Sequence, residues 1–200
     1  MAREKTRAAK HLTEMLGSAY IGQHALAGEG AFVVWSAIIV PPEIFRGFDR
    51  VVNCVPESHA ALCAGKGVGA EMCAKAEALG YSMDLCSYAR IDIGCLSDGC
   101  QGSPTFGLPK PHLLVSDNNN CSLLVKWFDV HRRVMGVPHF VLDVPFCYGA
   151  QEEKDLAYIL AQFKDLSEPW SRCQARSSTP TGAARRSSIP QRPPGTGSGS

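Results

Sequence analysis

Four short, largely apolar runs, each followed by residues of helical character, constrain the fold of this chain more than any other feature. They are Ala31-Phe32-Val33-Val34-Trp35 ending at Ser36, Val51–Val55, His112–Ser116 and His139–Asp143. Runs this short and this rich in β-branched and aromatic residues read as strands buried on both faces. Ahead of them, residues 5–26 carry Ala8, Leu12, Met15, Leu16 and Tyr20 at helical spacing. The Pro41-Pro42-Glu43 step opens a short helix, since proline suits a first helical turn. Further helices are expected near 69–79 and 84–92, broken at Gly80, and over Cys121–Val134, closed by Gly136-Val137-Pro138. A last helix is expected from Gln151 to Leu166, and the Gly- and Pro-rich residues 94–111 read as loop.

Strands alternating with helices predict an α/β fold: a doubly wound, mostly parallel sheet of the Rossmann or flavodoxin kind, with an N-terminal helix. Three segments follow: a helical segment at 1–30, an α/β lobe at 31–166, and a tail at 167–200. Twenty of the 34 tail residues are Ser, Thr, Gly or Pro, and only Trp170 and Ile189 are large and apolar. Such a composition cannot bury enough surface to offset chain entropy, so the tail is expected to be disordered, either natural or the product of a frameshift.

Charge is divided unevenly between body and tail. The chain's net charge is +1, but residues 1–166 hold 15 of the 20 basic and 18 of the 19 acidic side chains, a net of −3. That balance gives no electrostatic case for nucleic acid or an anionic membrane. No apolar run is long enough to span a bilayer, and the charged N-terminus lacks a secretory apolar region, so a cytoplasmic protein is expected.

In such a compartment the nine cysteines are expected as thiols or metal ligands rather than disulfides. No Cys-x-x-Cys spacing occurs, which argues against zinc ribbons and thioredoxin-like centres. Two cysteines stand out by their settings. Cys86 lies in Ser82-Met83-Asp84-Leu85-Cys86-Ser87-Tyr88-Ala89-Arg90, and Cys121 follows Asn118-Asn119-Asn120. Each sits where a loop enters a helix, facing unpaired backbone N–H groups and the positive end of the helix dipole, which favour the thiolate that binds metal. The pair points to a buried iron–sulfur site, for which Cys54, Cys95, Cys100 and Cys147 are further candidates and Cys63 and Cys73 read as core.

Sheets of this kind collect ligands outside the carboxyl ends of their strands. Ser36, Glu57, Asn118 to Cys121 and Asp143 all fall there. A hydroxyl at Ser36 and a carboxylate at Glu57 over one pocket would suit general-base or substrate-gripping work. The same spacing serves equally for a helix cap at Glu57 and a turn at Ser36. His59, His131 and His139 lack i, i+4 partners and read as surface or core. Gly65-Lys66-Gly67-Val68-Gly69 lacks the Walker pattern and follows no strand, so no phosphate loop is assigned.

Five stretches taken in order carry a family resemblance: Val55-Pro56-Glu57-Ser58-His59-Ala60-Ala61, Cys73 to Ser82, Asp84 to Gly94, Asn118 to Phe128, and Gly136-Val137-Pro138 through Cys147-Tyr148. Together they resemble the cluster-bearing subunits of the 2-hydroxyacyl-CoA dehydratase and benzoyl-CoA reductase family. The resemblance implies a longer chain with two α/β lobes and a 4Fe-4S cluster between them, held by three cysteines. Cys86 and Cys121 match two of those ligands; the third belongs to a second lobe that has no counterpart here. It further implies an acyl-CoA substrate, a homologous second subunit, and an ATP-hydrolysing iron–sulfur activator that delivers a low-potential electron. Water would leave a 2-hydroxyacyl-CoA through a ketyl radical anion, with Glu57 and Ser36 gripping the hydroxyl. Aromatic-ring reduction, or a truncated lobe that binds no cluster, are the alternatives.

Overall fold

A computed structural model describes residues 6–48 and 50–177. Four parallel strands form the sheet: β1 (Phe32–Ser36), β2 (Val51–Cys54), β3 (Leu113–Asp117) and β4 (His139–Leu142), in the order β2-β1-β3-β4. Around it lie α1 (Arg7–Gly28), a 3₁₀ turn (Pro42–Phe45), α2 (Pro56–Gly65), α3 (Gly69–Ala78), α4 (Ser87–Ser97), α5 (Ser122–Met135) and α6 (Glu153–Ser177). The expected α/β class, parallel sheet and N-terminal helix are therefore observed. Among the described residues no helix is long and apolar enough to cross a membrane.

Every residue of β1 and β3 is buried, as the unbroken apolar runs require. Alternation along β1 sends side chains into opposite layers. Phe32 packs against Trp170 of α6, while Trp35 meets the His131 ring of α5 edge-on at 5.2 Å. The Trp35 indole N–H donates to the Pro109 carbonyl at 2.8 Å, tying the loop after α4 to the sheet. At the crossing of α3 and α4, a Cβ on Gly94 would lie 1.9 Å from the Met72 carbonyl oxygen, so only glycine lets these helices meet this closely.

Three boundaries are set by the structure rather than by the sequence reading. The helix that a cap at Glu57 implies, α2, starts directly after β2 with Pro56 in its first turn, and its bounds, Pro56–Gly65, come from the structure. α4 runs to Ser97, four residues into the expected loop. Most consequential, the tail expected from 167 begins instead as the continuation of α6, which reaches Ser177. The reason is a single side chain: Trp170 is 1% exposed and its ring lies 4.1 Å from Phe48, 4.8 Å from Phe32 and 5.8 Å from Phe45. One buried indole holds a helical turn that average composition could not support. The remainder of the expected tail, 178–200, lies outside the described residues, as do residues 1–5.

Gly136 closes α5 as the sequence indicates, with φ +66° and its N–H donating to the Arg132 carbonyl at 2.9 Å. A Cβ in this left-handed conformation is strained. Gly136→Ala is expected to lower stability by about 1 kcal/mol and Gly136→Asn by less. Urea denaturation midpoints measure both, and equal losses would show that backbone conformation is not the cause.

Candidate active site at the carboxyl edge of the sheet

From β1 the chain moves outward to β2, then returns past β1 to place β3 on its other side. The strand order thus reverses between β1 and β3, and the crevice outside their carboxyl ends is where such sheets bind ligands. Ser36 ends β1, Asp117 ends β3, and Glu57 stands in the first turn of α2. All three are buried, and each has an oxygen with no hydrogen-bond partner: Ser36 Oγ, Glu57 Oε2 and Asp117 Oδ2. Buried polar atoms are rarely left unpaired, because the loss of water costs on the order of 1–3 kcal/mol each. Three of them stand together at a topological switch point, where a polar ligand would meet open acceptors.

The other oxygens of the two carboxyls are fixed. Glu57 Oε1 accepts the Ile38 N–H at 3.1 Å, and Asp117 Oδ1 accepts the Asn119 N–H at 3.0 Å. Burial raises the Glu57 carboxyl above its ordinary pKa; backbone N–H donors oppose the rise, and the negative charges of Asp92 and Asp117 add to it. Burial likewise raises Asp117 against the pull of N–H groups of Asn119, Asn120 and its own backbone. The sequence places Ser36 and Glu57 at this edge, as observed, and does not single out Asp117. Its position at the end of the third strand was the available signal.

Asp117 and Asn119 line a cavity of about 250 Å³ walled by Ile39, Val40, Leu142 and Phe163. Asp143, also expected at this edge, forms part of the wall but is fully engaged. Asn118 donates its amide to one carboxylate oxygen, and the Tyr158 hydroxyl donates to the other at 2.6 Å. Gln162 takes the Asp143 N–H and gives its amide to the Asp143 carbonyl, both at 2.7 Å. Asp143 is a clamp joining the asparagine loop to α6 rather than a free reactant. A larger groove of about 910 Å³ lies between α1 and α2 and includes none of Ser36, Glu57, Asp117, Cys86 or Cys121.

Cys86 and Cys121 are the N-caps of α4 and α5, two helices that pack against each other. Both are exposed free thiols, and neither helix start is capped by a side-chain hydrogen bond. Two accessible sulfur donors at open helix N-termini suit iron–sulfur ligation. Among the described residues no set of three or more His, Cys, Asp or Glu converges as a metal site. The other candidates sort clearly. Cys54 is buried, and burial pushes its thiol up to about 12. Cys147 is free and exposed. Cys95 and Cys100 form a disulfide, against the expectation of thiols throughout; the left-handed backbone at Cys100 turns the chain back so that the two Cα atoms lie 4.2 Å apart.

Beneath this edge is a charged cluster that sequence spacing did not reveal. His59 Nδ1–H donates to Asp92 Oδ1 at 3.1 Å, and the Trp127 indole N–H donates to Asp92 Oδ2 at 3.3 Å. His131 Nε2 lies 2.7 Å from Asp92 Oδ2, an ion-pair contact too bent for hydrogen-bond geometry. Burial alone would raise the Asp92 pKa, but the charges and contacts of His131 and His59 outweigh it and bring it to about 2. Burial would lower His59, yet its bonds to Asp92 and Cys63 raise it to about 9. The other His59 nitrogen sits 2.9 Å from Ser103 Oγ, anchoring the loop after α4.

Known proteins resemble this chain in sequence. The chain is 34% identical over 163 residues to the α subunit of (R)-2-hydroxyisocaproyl-CoA dehydratase of Clostridioides difficile, covering 81% of this chain and 39% of that one. It is 34% identical over 137 residues to the (R)-phenyllactyl-CoA dehydratase α subunit of Clostridium sporogenes, covering 68% and 33%. A benzoyl-CoA reductase subunit of Thauera aromatica is 27% identical over 124 residues, covering 62% and 28%. The chain thus spans between about a quarter and two-fifths of the length of these relatives. Residues 37–175 match the model of one family, past the expected boundary at 166 and through most of α6. By that match, which starts at the residue after β1 and takes in all of the candidate site except Ser36, the chain belongs to the 2-hydroxyglutaryl-CoA dehydratase, D-component family.

Proposed function

We propose that this chain is the substrate-gripping lobe of a 2-hydroxyacyl-CoA dehydratase subunit, which removes water from a 2-hydroxyacyl-CoA. The observation that carries the reading is the pair of unpartnered buried oxygens, Ser36 Oγ and Glu57 Oε2, at the switch point of the sheet. Greater identity to the two dehydratase α subunits than to the reductase subunit supports the dehydratase branch over ring reduction.

In this reading the substrate hydroxyl enters the crevice and donates to Glu57 Oε2 while Ser36 Oγ completes its hydrogen bonds. Binding thereby relieves two buried, unsatisfied atoms, which makes the hydroxyl itself a specificity element. Glu57 is held in register by the Ile38 N–H, so only one of its oxygens faces the ligand. Cys86 and Cys121 would supply two thiolate ligands of a 4Fe-4S cluster, with further ligation from outside the described residues. When bound, that cluster supplies the low-potential electron, delivered by a separate ATP-hydrolysing activator, for a ketyl-radical route at the thioester. A homologous second subunit completes the assembly.

The test is an anaerobic assay of the chain with its partner subunit and reduced activator, following the unsaturated thioester formed from 2-hydroxyacyl-CoA. Glu57→Gln is expected to lower kcat roughly 100-fold and Ser36→Ala roughly tenfold. Reduction of benzoyl-CoA without dehydration would move the chain to the reductase branch, and an unaltered Glu57→Gln enzyme would remove Glu57 from the site.

A further inference from the structure

Asp117 takes no part in gripping the substrate hydroxyl, yet it is the most conspicuous unexplained group at this edge. It is 2% exposed, its Oδ2 lacks any partner, and it belongs to the cavity bounded by Val40, Leu142 and Phe163. A carboxyl kept only to cap the Asn118–Asn120 turn would need one oxygen, and Oδ1 already does this through the Asn119 N–H. The second oxygen is spare, buried and beside apolar walls, a setting that shifts a carboxyl toward its protonated form and so toward proton donation.

We propose that Asp117 is the general acid of the elimination, delivering the proton that lets the substrate hydroxyl depart as water. This inference rests on the dehydratase reading and deepens it. The C2–O bond breaks with its electron pair leaving on oxygen, and the Asp117 Oδ2–H proton joins that oxygen to make water. The C3–H bond then breaks, its electron pair forming the C2–C3 double bond and its proton returning to the Asp117 carboxylate; the single electron lent to the thioester is given back, so the substrate loses one water and the residue ends as it began. Glu57 and Ser36 hold the hydroxyl while Asp117 supplies its proton. This divides the carboxyls into a gripping one and a proton-carrying one. The titratable groups around Asp117 agree with that division. From α2 the Glu57 carboxyl faces this edge, and beyond β4 Asp143 is committed to Asn118 and Tyr158. α6 presents Ile159, Gln162 and Phe163, and the segment after β1 presents Ile39, Val40 and Pro41, none of which titrates.

The experiment compares wild type, Asp117→Asn and Asp117→Glu in the assembled enzyme, with infrared difference spectra of each on a pH titration. Asp117→Asn is expected to lower kcat by 100-fold or more, at nearly unchanged KM. Asp117→Glu should recover part of the loss. In wild type the rate should fall as pH rises through the pKa of the acid, and that limb should vanish in Asp117→Asn. The infrared titration should show a carboxyl in wild type that stays protonated to a higher pH than an ordinary aspartate and is missing from Asp117→Asn, whether or not the assay shows turnover. Wild-type dehydration with an Asp117→Asn rate within about threefold, or a wild-type spectrum without the Asp117 acid band, overturns the proposal. Absence of dehydration with the acid band present overturns the dehydratase reading instead.

Discussion

Serine at either Cys86 or Cys121 is expected to abolish cluster binding in the assembled enzyme, with iron and acid-labile sulfide falling to background after anaerobic reconstitution. A serine hydroxyl retains the size of the thiol but not the soft, readily ionised donor that iron–sulfur clusters require. Each of these cysteines caps a different helix, so neither can stand in for the other without moving a helix end. The discriminating control is Cys73→Ser. Cys73 Sγ donates toward the carbonyl of Ser87, next to Cys86, at 3.8 Å, which brings a third thiol near this helix start. Iron content and the electron paramagnetic resonance signal of the reduced sample should match wild type in Cys73→Ser. Full iron in Cys86→Ser or Cys121→Ser would end the ligand assignment.

The second large effect concerns folding. Asp92→Ala is expected to destabilise the chain by about 3–5 kcal/mol, because it leaves His59 and His131 buried without their carboxylate. Asp92→Asn, which keeps the shape and some hydrogen bonding but not the charge, should fall between. Both are read from chemical denaturation, and a loss below about 1 kcal/mol in Asp92→Ala would show that the cluster is energetically neutral. The same cluster sets a pH window. Asp92 titrates at about 2 in the fold against ~3.9 unfolded, so its stabilisation is present above about pH 4 and is lost as pH falls through about 2. His59 is raised to about 9 against ~6.5 unfolded, so its contribution is full below about pH 6.5 and is lost as pH rises through about 9. Stability should therefore be greatest between about pH 4 and 6.5, and Asp92→Ala should flatten both limbs.

These two effects separate what lies on the surface of the sequence from what does not. Cys86 and Cys121 were legible because each setting is local: a polar loop, then a helical pattern, then a helix N-terminus where the thiol sits. The positions of Ser36 and Glu57 were legible for a similar reason, since residues at or just beyond the end of a parallel strand must lie at its carboxyl edge. The His59–Asp92–His131 cluster was not. Its members lie 33 and 39 positions apart on three helices, and no spacing rule links them. Trp170 misled the reading in the opposite sense, because composition averages over a segment while burial depends on one side chain finding Phe32, Phe45 and Phe48.

The sequence by itself determined the α/β class, the four strands, the helix that Gly136 ends, and which thiols stand at helix starts. All of these follow from period, propensity and backbone stereochemistry over a dozen residues or fewer. Only the tertiary structure decided that the strand order reverses between β1 and β3, and hence that Ser36, Glu57 and Asp117 share one edge with unsatisfied oxygens. It also decided that His59 and His131 converge on one buried carboxylate. Whether a polar atom finds a partner depends on which distant elements pack against it, and that is a property of the closed core rather than of any stretch of chain.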